Sequence, residues 1–148
     1  MSDNILRLIP VDPQYIPDGT SQRTMQDQLA SFRLQADNTR IKITSEVKFV
    51  DAGENFERVL CPTCGADLGE WWRTAMDTAY KTKFADLSVH LPCCGTKSSL
   101  NDLRYEWPAG FSRFVIEVHN PDHDLNDEQI HSLEQILGCK LRKIWTRY

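Results

Sequence analysis

Two periods in the apolar pattern of this chain predict its secondary structure. Ile41, Ile43, Val47 and Phe49 alternate with polar residues, which is typical of a strand with one buried and one wet face. Similar patterns predict further strands at residues 5–11, 56–60, 87–91, 111–119 and 141–148. We expect the strand at 56–60 to return beside the strand at 41–49 as a hairpin that leads into residue 61.

Other segments have the period of an amphipathic helix. Met25, Leu29, Phe32 and Ala36 recur at steps of four, three and four residues, so they share one helical face. A second helix is predicted at residues 70–84, where an apolar stripe has the same period. A third begins after Asn126.

Capping residues mark the expected ends of the first and third helices. Thr20 or Ser21 can cap the first helix. Asn126 and Gln129 have the spacing of a capping box, and Gly138 suits the left-handed residue that ends a helix.

Composition and charge limit the function classes. A chain of 148 residues with 41% hydrophobic and 26% charged residues suits one globular domain. The net charge of −4 argues against a dedicated nucleic-acid binder, and the apolar runs are too short to span a bilayer. Residues 1–4 have neither the basic start nor the apolar core of a signal peptide, so we expect a cytoplasmic protein without a membrane partner.

The main candidate chemistry lies in two short turns bracketed by proline and glycine. Residues 61–65 read Cys-Pro-Thr-Cys-Gly and residues 91–95 read Leu-Pro-Cys-Cys-Gly. Two cysteines separated by two residues can direct both thiolates at one tetrahedral ion, and a second turn can complete the coordination. We therefore predict Zn²⁺ as the cofactor. The predicted ligands are Cys61, Cys64, Cys93 and Cys94.

The fourth ligand is the open question of this site. When the turns are aligned on proline and glycine, Leu91 stands where a first cysteine is expected, and Cys93 occupies a position that is ordinarily variable. Adjacent cysteines reach one metal only with a strained backbone, so His90 is a competing ligand. If neither binds, the metal keeps a position open for water, as a catalytic zinc does.

The order of predicted elements indicates an α+β fold. A strand, a helix and a strand precede the cysteine turns, and a strand, a helix and a strand follow them. We expect a ferredoxin-like sandwich, with βαβ halves on an antiparallel sheet and both main helices on one face. Residues 1–148 would form a single domain, with residues 61–95 as a zinc-bound helical insertion.

The cysteine turns also resemble segments of known proteins. The turn at 61–65 resembles a zinc-ribbon knuckle. Residues 91–103 and 107–111 look similar to a family of small uncharacterised bacterial proteins. This resemblance implies a bacterial cytosolic protein and assigns no activity and no catalytic residue.

Three functional hypotheses follow. The leading one is a zinc-stabilised, non-enzymatic module that binds another protein, such as an immunity or antitoxin-like protein that masks a basic enzyme. Its contact surface would lie in the acidic stretch 122–134 and include Asp122, Asp124 and Glu128, because opposite charge accelerates association. Trp71 either packs over the cysteine turns or is an exposed anchor for the partner.

The two alternatives use other parts of the chain. A zinc-dependent hydrolase would have an open metal position, lined by His90 and the segment around Trp107. A weak nucleic-acid binder would use the basic, aromatic C-terminus at residues 142–148, although charged residues on a protected edge strand give the same pattern.

Overall fold

Along the chain, the segment with the two cysteine turns lies between the second and third long strands of the main sheet. The computed structural model describes residues 3–148. In chain order the elements are β1 Asn4–Pro10, α1 Gly19–Ser31, β2 Asn38–Val50, β3 Val59–Leu60, α2 Gly69–Tyr80, β4 Ser88–His90, β5 Lys97–Ser99, a 3₁₀ turn Leu100–Asp102, β6 Arg104–Tyr105, β7 Gly110–His119, α3 Asp127–Leu137 and β8 Leu141–Arg147. Each of these helices falls short of the length and apolar character that a membrane span requires.

The main sheet has four strands in the order β2-β7-β1-β8, and every neighbouring pair is antiparallel. Ile116 of β7 lies between Leu8 of β1 and Ile41 of β2 in the register. Three α-helices accompany this sheet in the described residues. The predicted α+β class is therefore confirmed.

Both main helices cover the same face of the sheet. Met25 of α1 and Leu133 of α3 are fully buried against Leu6 of β1 and Phe114 of β7. Helices α1 and α3 connect β1 to β2 and β7 to β8, which are parallel pairs with one strand between them, and right-handed crossovers in both connections predict this arrangement. These residues form the first hydrophobic core.

The chain between β2 and β7, residues 51–109, builds a second core around α2. Phe49 and Phe111 join this core to the main sheet, with ring centroids 5.0 Å apart. Successive side chains of a strand point to opposite faces, so Phe111 lies on the face away from Phe114. The segment that carries the cysteine turns thus packs on the sheet face opposite α1 and α3.

Strand β3 does not form the predicted hairpin with β2. It pairs with β6, where Val59 lies opposite Tyr105 and Leu60 opposite Arg104. The expected partner is lost because the chain leaves β2 and crosses to the far edge of the sheet, where Gly53 forms a parallel bridge with Arg147. The prediction failed because the sequence contains no signal for this crossing other than the glycine.

The predicted capping residues are confirmed for α3 but not for α1. The capping box of Asn126 and Gln129 is present, and Gly138 ends α3 with a φ of 73°. Helix α1, however, is capped by Asp18, whose carboxylate accepts a hydrogen bond from the Ser21 amide at 2.7 Å. Thr20 and Ser21 lie inside the first turn and cannot act as the cap.

Helix α2 is shorter than predicted. It ends at Tyr80 rather than at residue 84. Lys83 and Phe84 both have a φ of 58°, so the backbone turns left-handed before Phe84 packs into the second core.

Candidate metal centre

The first cysteine turn is held by two backbone hydrogen bonds. The amide of Gly65 donates to the carbonyl of Cys61 at 3.0 Å, and the amide of Cys61 donates to the carbonyl of Ala66 at 2.8 Å. Gly65 has a φ of 76°, which closes the turn without a Cβ penalty. Strand β3 delivers Cys61 into this turn, and α2 begins soon after it.

The second turn repeats these bonds. The amide of Gly95 donates to the carbonyl of Leu91 at 2.8 Å, and the amide of Leu91 donates to the carbonyl of Thr96 at 2.9 Å. Gly95 has a φ of 71°. Leu91 is therefore the structural equivalent of Cys61, as the alignment of the two turns predicts.

The two turns bring four sulfur atoms together. The Sγ atoms of Cys61 and Cys94 are 3.8 Å apart, and those of Cys64 and Cys93 are 3.3 Å apart. All four Sγ atoms lie within 4.8 Å of one another, and no disulfide joins them. A tetrahedral zinc site with Zn–S bonds of about 2.3 Å requires S–S separations of about 3.8 Å. The cluster therefore has the dimensions of a four-thiolate metal site.

Cys93 supplies the sulfur that Leu91 cannot. Leu91 is only 1% exposed and packs into the second core beside Cys61. Cys93 stands in the second turn where Thr63 stands in the first. Neither Cys93 nor Cys94 has a positive φ, so the adjacent pair contributes its two sulfurs without left-handed backbone.

Backbone amides stabilise negative charge in the cluster. The amides of Cys64 and Thr63 each donate to Cys61 Sγ at 3.3 Å. The hydrogen bond from the Cys64 amide is the main cause that lowers the pKa of Cys61 to about 6. The side-chain hydrogen bond with Cys64, together with burial, raises the pKa of Cys93 to about 12. These amide hydrogen bonds therefore favour the thiolate form of Cys61, which is the form in which a cysteine binds a metal.

His90 lies outside this group of close donor atoms. It belongs to β4, its side chain is exposed, and it pairs with Lys97 of β5 across a two-stranded ribbon. The cluster of close metal-ligating side chains within residues 3–148 consists of the four cysteines alone.

The predicted partner-surface residues lie in two separate places. Asp122, Asp124 and Glu128 are exposed at the start of α3. Asp124 accepts a hydrogen bond from Lys143 Nζ at 2.8 Å, and Asp122 contacts the ring of His123. Trp71 is half-buried in α2, packs against the second core and lines a surface groove between α2 and β4.

The basic C-terminal strand is largely engaged within the fold. Arg142 donates to the carbonyls of Asn101 and Ala109, both at 2.9 Å. Lys143 is held by Asp124, and Trp145 packs against the first core. Strand β8 lies at an edge of the main sheet, as expected of a strand that carries charged residues for protection.

No protein-family model, no curated protein and no solved structure matches this chain.

Sequence reasoning missed a second polar feature, on the sheet face opposite the main helices. Arg7 Nε donates to Glu117 Oε2 at 2.9 Å, and Glu117 is 3% exposed. The available signal was a single charged residue in the middle of an otherwise apolar strand: Arg7 lies between two leucines, and Glu117 between isoleucine and valine.

Proposed function

We propose that the four cysteines bind one Zn²⁺ as a closed structural site, and that the chain is a non-enzymatic module that binds another protein. The observation that carries the first part is the presence of four cysteine Sγ atoms that all lie within 4.8 Å of one another. Four thiolates fill the coordination sphere of zinc and leave no position for a substrate or an activated water.

The place of the cluster in the fold supports a structural role. One cysteine turn precedes α2 in the chain and the other follows it. The strands beside the second turn, β4 and β5, have only three residues each. Such short strands cannot hold their own pairing in water without added packing. A metal that ties both turns together would supply that free energy on folding.

We also propose that the main sheet and its two helices form a ferredoxin-like core. The four long strands, counted in chain order, are arranged 2-3-1-4 in the antiparallel sheet. Each half consists of a strand, a helix and a strand, and both helices pack on one face. These are the features expected of that fold.

The exposed acids at the start of α3 favour a basic protein as the partner. Asp122, Asp124 and Glu128 are exposed in a stretch without lysine or arginine; Asp124 pairs with Lys143 of β8, whereas Asp122 and Glu128 have no lysine or arginine partner among residues 3–148. Opposite charge on a partner would raise the rate of association. An immunity or antitoxin-like protein of the cytoplasm, which masks a basic enzyme, fits this surface.

Affinity capture with matched variants tests the partner surface. The first variant carries Asp122→Lys, Asp124→Lys and Glu128→Lys. The control carries Glu57→Lys, Glu70→Lys and Asp77→Lys, which reverse three exposed acids elsewhere in the chain. We expect one or more basic proteins to be retained by the wild type and the control and lost by the first variant. Equal retention by both variants would contradict this surface.

A zinc-dependent hydrolase requires a different set of metal ligands. It would need three protein ligands and an open fourth position. The fourth sulfur, from Cys93, lies 3.3 Å from Cys64 Sγ, which favours the closed site.

A further inference from the structure

A cavity of about 310 Å³ lies in the curl of the main sheet, outside the metal centre. Strand β2 pairs with β7 in two sections, with a register shift between Ile43 and Lys48. Such a bulge bends a strand and increases its twist. The second section bends over the open face of the sheet, where Val50 packs against Ile9 and Ile144 of the two strands on the far side.

The cavity wall carries two cations that lack an ion-pair partner among residues 3–148. Arg113 is half-buried, and its Nε donates to the Thr44 carbonyl at 3.0 Å. That bond fixes the guanidinium and leaves its two Nη groups for a ligand. Lys48 is exposed and lines the cavity, and its side chain has no hydrogen bond within the described part of the chain.

The other charges in the wall are satisfied. Arg7 and Glu117 form an ion pair at 2.9 Å, and Lys42 Nζ lies 3.4 Å from Glu117. Asp51 accepts a hydrogen bond from the Gly53 amide at 3.0 Å. Arg113 and Lys48 therefore give the cavity its available charge, and this charge is positive.

Part of the cavity lining is apolar. Phe49, Val50 and Val115 lie there among charged and polar side chains. Small-molecule sites have volumes of this order and combine apolar surface with polar groups that fix the orientation of the ligand. We propose that this cavity binds a small organic anion, in which a phosphate monoester or carboxylate contacts Arg113 and Lys48 and an apolar body lies on Val50 and Val115.

A small molecule fits this face better than a nucleic acid does. Single-stranded nucleic acids bind to rows of exposed aromatic rings. The cavity lining has two aromatic residues, Phe49 and Tyr148, rather than a row of rings, and the guanidinium of Arg7 lies over one face of the Tyr148 ring at 5.6 Å. The net charge of −4 also disfavours a polyanion.

Phenyl phosphate and benzoate are suitable probes, with benzyl alcohol as the neutral counterpart. Each is titrated into the full, metal-loaded chain, and amide shifts are followed by ¹⁵N NMR. We expect saturable shifts confined to residues 48–51 and 112–115 with at least one of the two anions, and none with benzyl alcohol. The anion that binds tighter distinguishes a phosphate from a carboxylate ligand.

Matched variants assign the binding to the two cations. Lys48→Gln and Arg113→Gln should weaken binding about tenfold or more, as expected for a lost charge-assisted hydrogen bond. Lys81→Gln and Arg104→Gln, at exposed positions outside the cavity, should bind as the wild type does. Arg113→Gln can loosen the bulge because it removes the bond to Thr44, whereas Lys48→Gln breaks no such bond.

Three results would overturn this inference. The first is the absence of shifts at millimolar concentrations of both anions. The second is unchanged affinity in Lys48→Gln. The third is a stronger, salt-dependent shift of the same amides by a single-stranded oligonucleotide, which would assign the face to nucleic acid. None of these results bears on the metal centre or on the acidic surface.

Discussion

Gly53 and Arg147 form a parallel bridge that joins the chain after β2 to β8, the strand at the opposite edge of the main sheet. The Glu54 amide donates to the Arg147 carbonyl at 2.8 Å, and the Arg147 amide donates to the Ala52 carbonyl at 3.1 Å. Residues 52–54 thereby cover the outer edge of β8 at Arg147. Just before this bridge, Val50 of β2 packs against Ile9 of β1 and Ile144 of β8.

Gly53→Ala should destabilise the protein by about 2–4 kcal/mol. Gly53 has a φ of 59°, and a Cβ there would collide with the backbone carbonyl of Arg147. Chemical denaturation measures the loss. Gly19→Ala is the control, because a Cβ at Gly19 meets only the end of the Arg23 side chain at 3.8 Å. If Gly53→Ala lost less unfolding free energy than Gly19→Ala, the close approach of Gly53 to Arg147 would be contradicted.

Arg142→Met should cost about 2–4 kcal/mol of unfolding free energy. Arg142 Nη1 donates to the carbonyls of Asn101 and Ala109 and to Asn101 Oδ1, which ties the segment after the cysteine turns to β8. Its removal leaves the carbonyls of Asn101 and Ala109 without this donor, whereas Asn101 Oδ1 keeps the hydrogen bond from the Phe111 amide. Denaturation of Arg104→Met, a change at an exposed arginine of β6, provides the comparison and should be nearly neutral. A similar loss of unfolding free energy in the two variants would show that the hydrogen bonds of Arg142 do not stabilise the fold.

Glu117 should make the folded state sensitive to acid. Burial alone would raise the pKa of Glu117, but the hydrogen bond and charge of Arg7, with the charge of Lys42, lower it below its ordinary value of 4.5. The stabilisation is therefore complete above this ordinary value and is lost as pH falls through the lower, folded-state pKa. His119, whose Nε2 lies 3.7 Å from Glu117, is the other titratable group that faces the carboxylate.

The change that tests this contribution is Glu117→Gln. At neutral pH the variant should be less stable than the wild type, and the difference should shrink as the pH falls below about 4. Stability measured by denaturation across pH 2–7 gives the comparison. Glu128→Gln, at an exposed glutamate, should follow the wild-type curve. A constant difference for Glu117→Gln at all pH values would contradict the ion pair.

Cys93→Ser should weaken zinc binding and destabilise the segment around α2. The change removes the fourth sulfur, and structural zinc sites couple metal affinity to folding. Competition with a chromogenic chelator measures affinity. Cys139→Ser is the control, since Cys139 lies outside the cluster and burial, with the charge of Glu134, raises its pKa to about 11. Equal zinc affinity in both variants would exclude Cys93 as a ligand.

The periodic elements were predictable because their signals are local. The alternation around Ile41 and Ile43 lies in β2, and the capping box of Asn126 and Gln129 starts α3 as expected. The equivalence of Leu91 and Cys61 was likewise visible, because the positions of proline and glycine fix the shape of each turn.

The long-range pairings could not be derived in this way. The pairing of β3 with β6 joins Val59 to Tyr105, and such a contact depends on the whole fold rather than on adjacent residues. The same holds for the ion pair of Arg7 and Glu117, which are 110 positions apart in the chain. Sequence alone identifies these residues as unusual for their strands but not as partners.

X-ray absorption at the zinc edge, combined with elemental analysis of protein purified without added metal, tests the proposed closed site most directly. We expect one zinc per chain, surrounded by four sulfur atoms at about 2.3 Å. A shell of three sulfurs with one nitrogen or oxygen would contradict the closed site and restore His90 or water as the fourth ligand. The absence of zinc would contradict the metal centre itself.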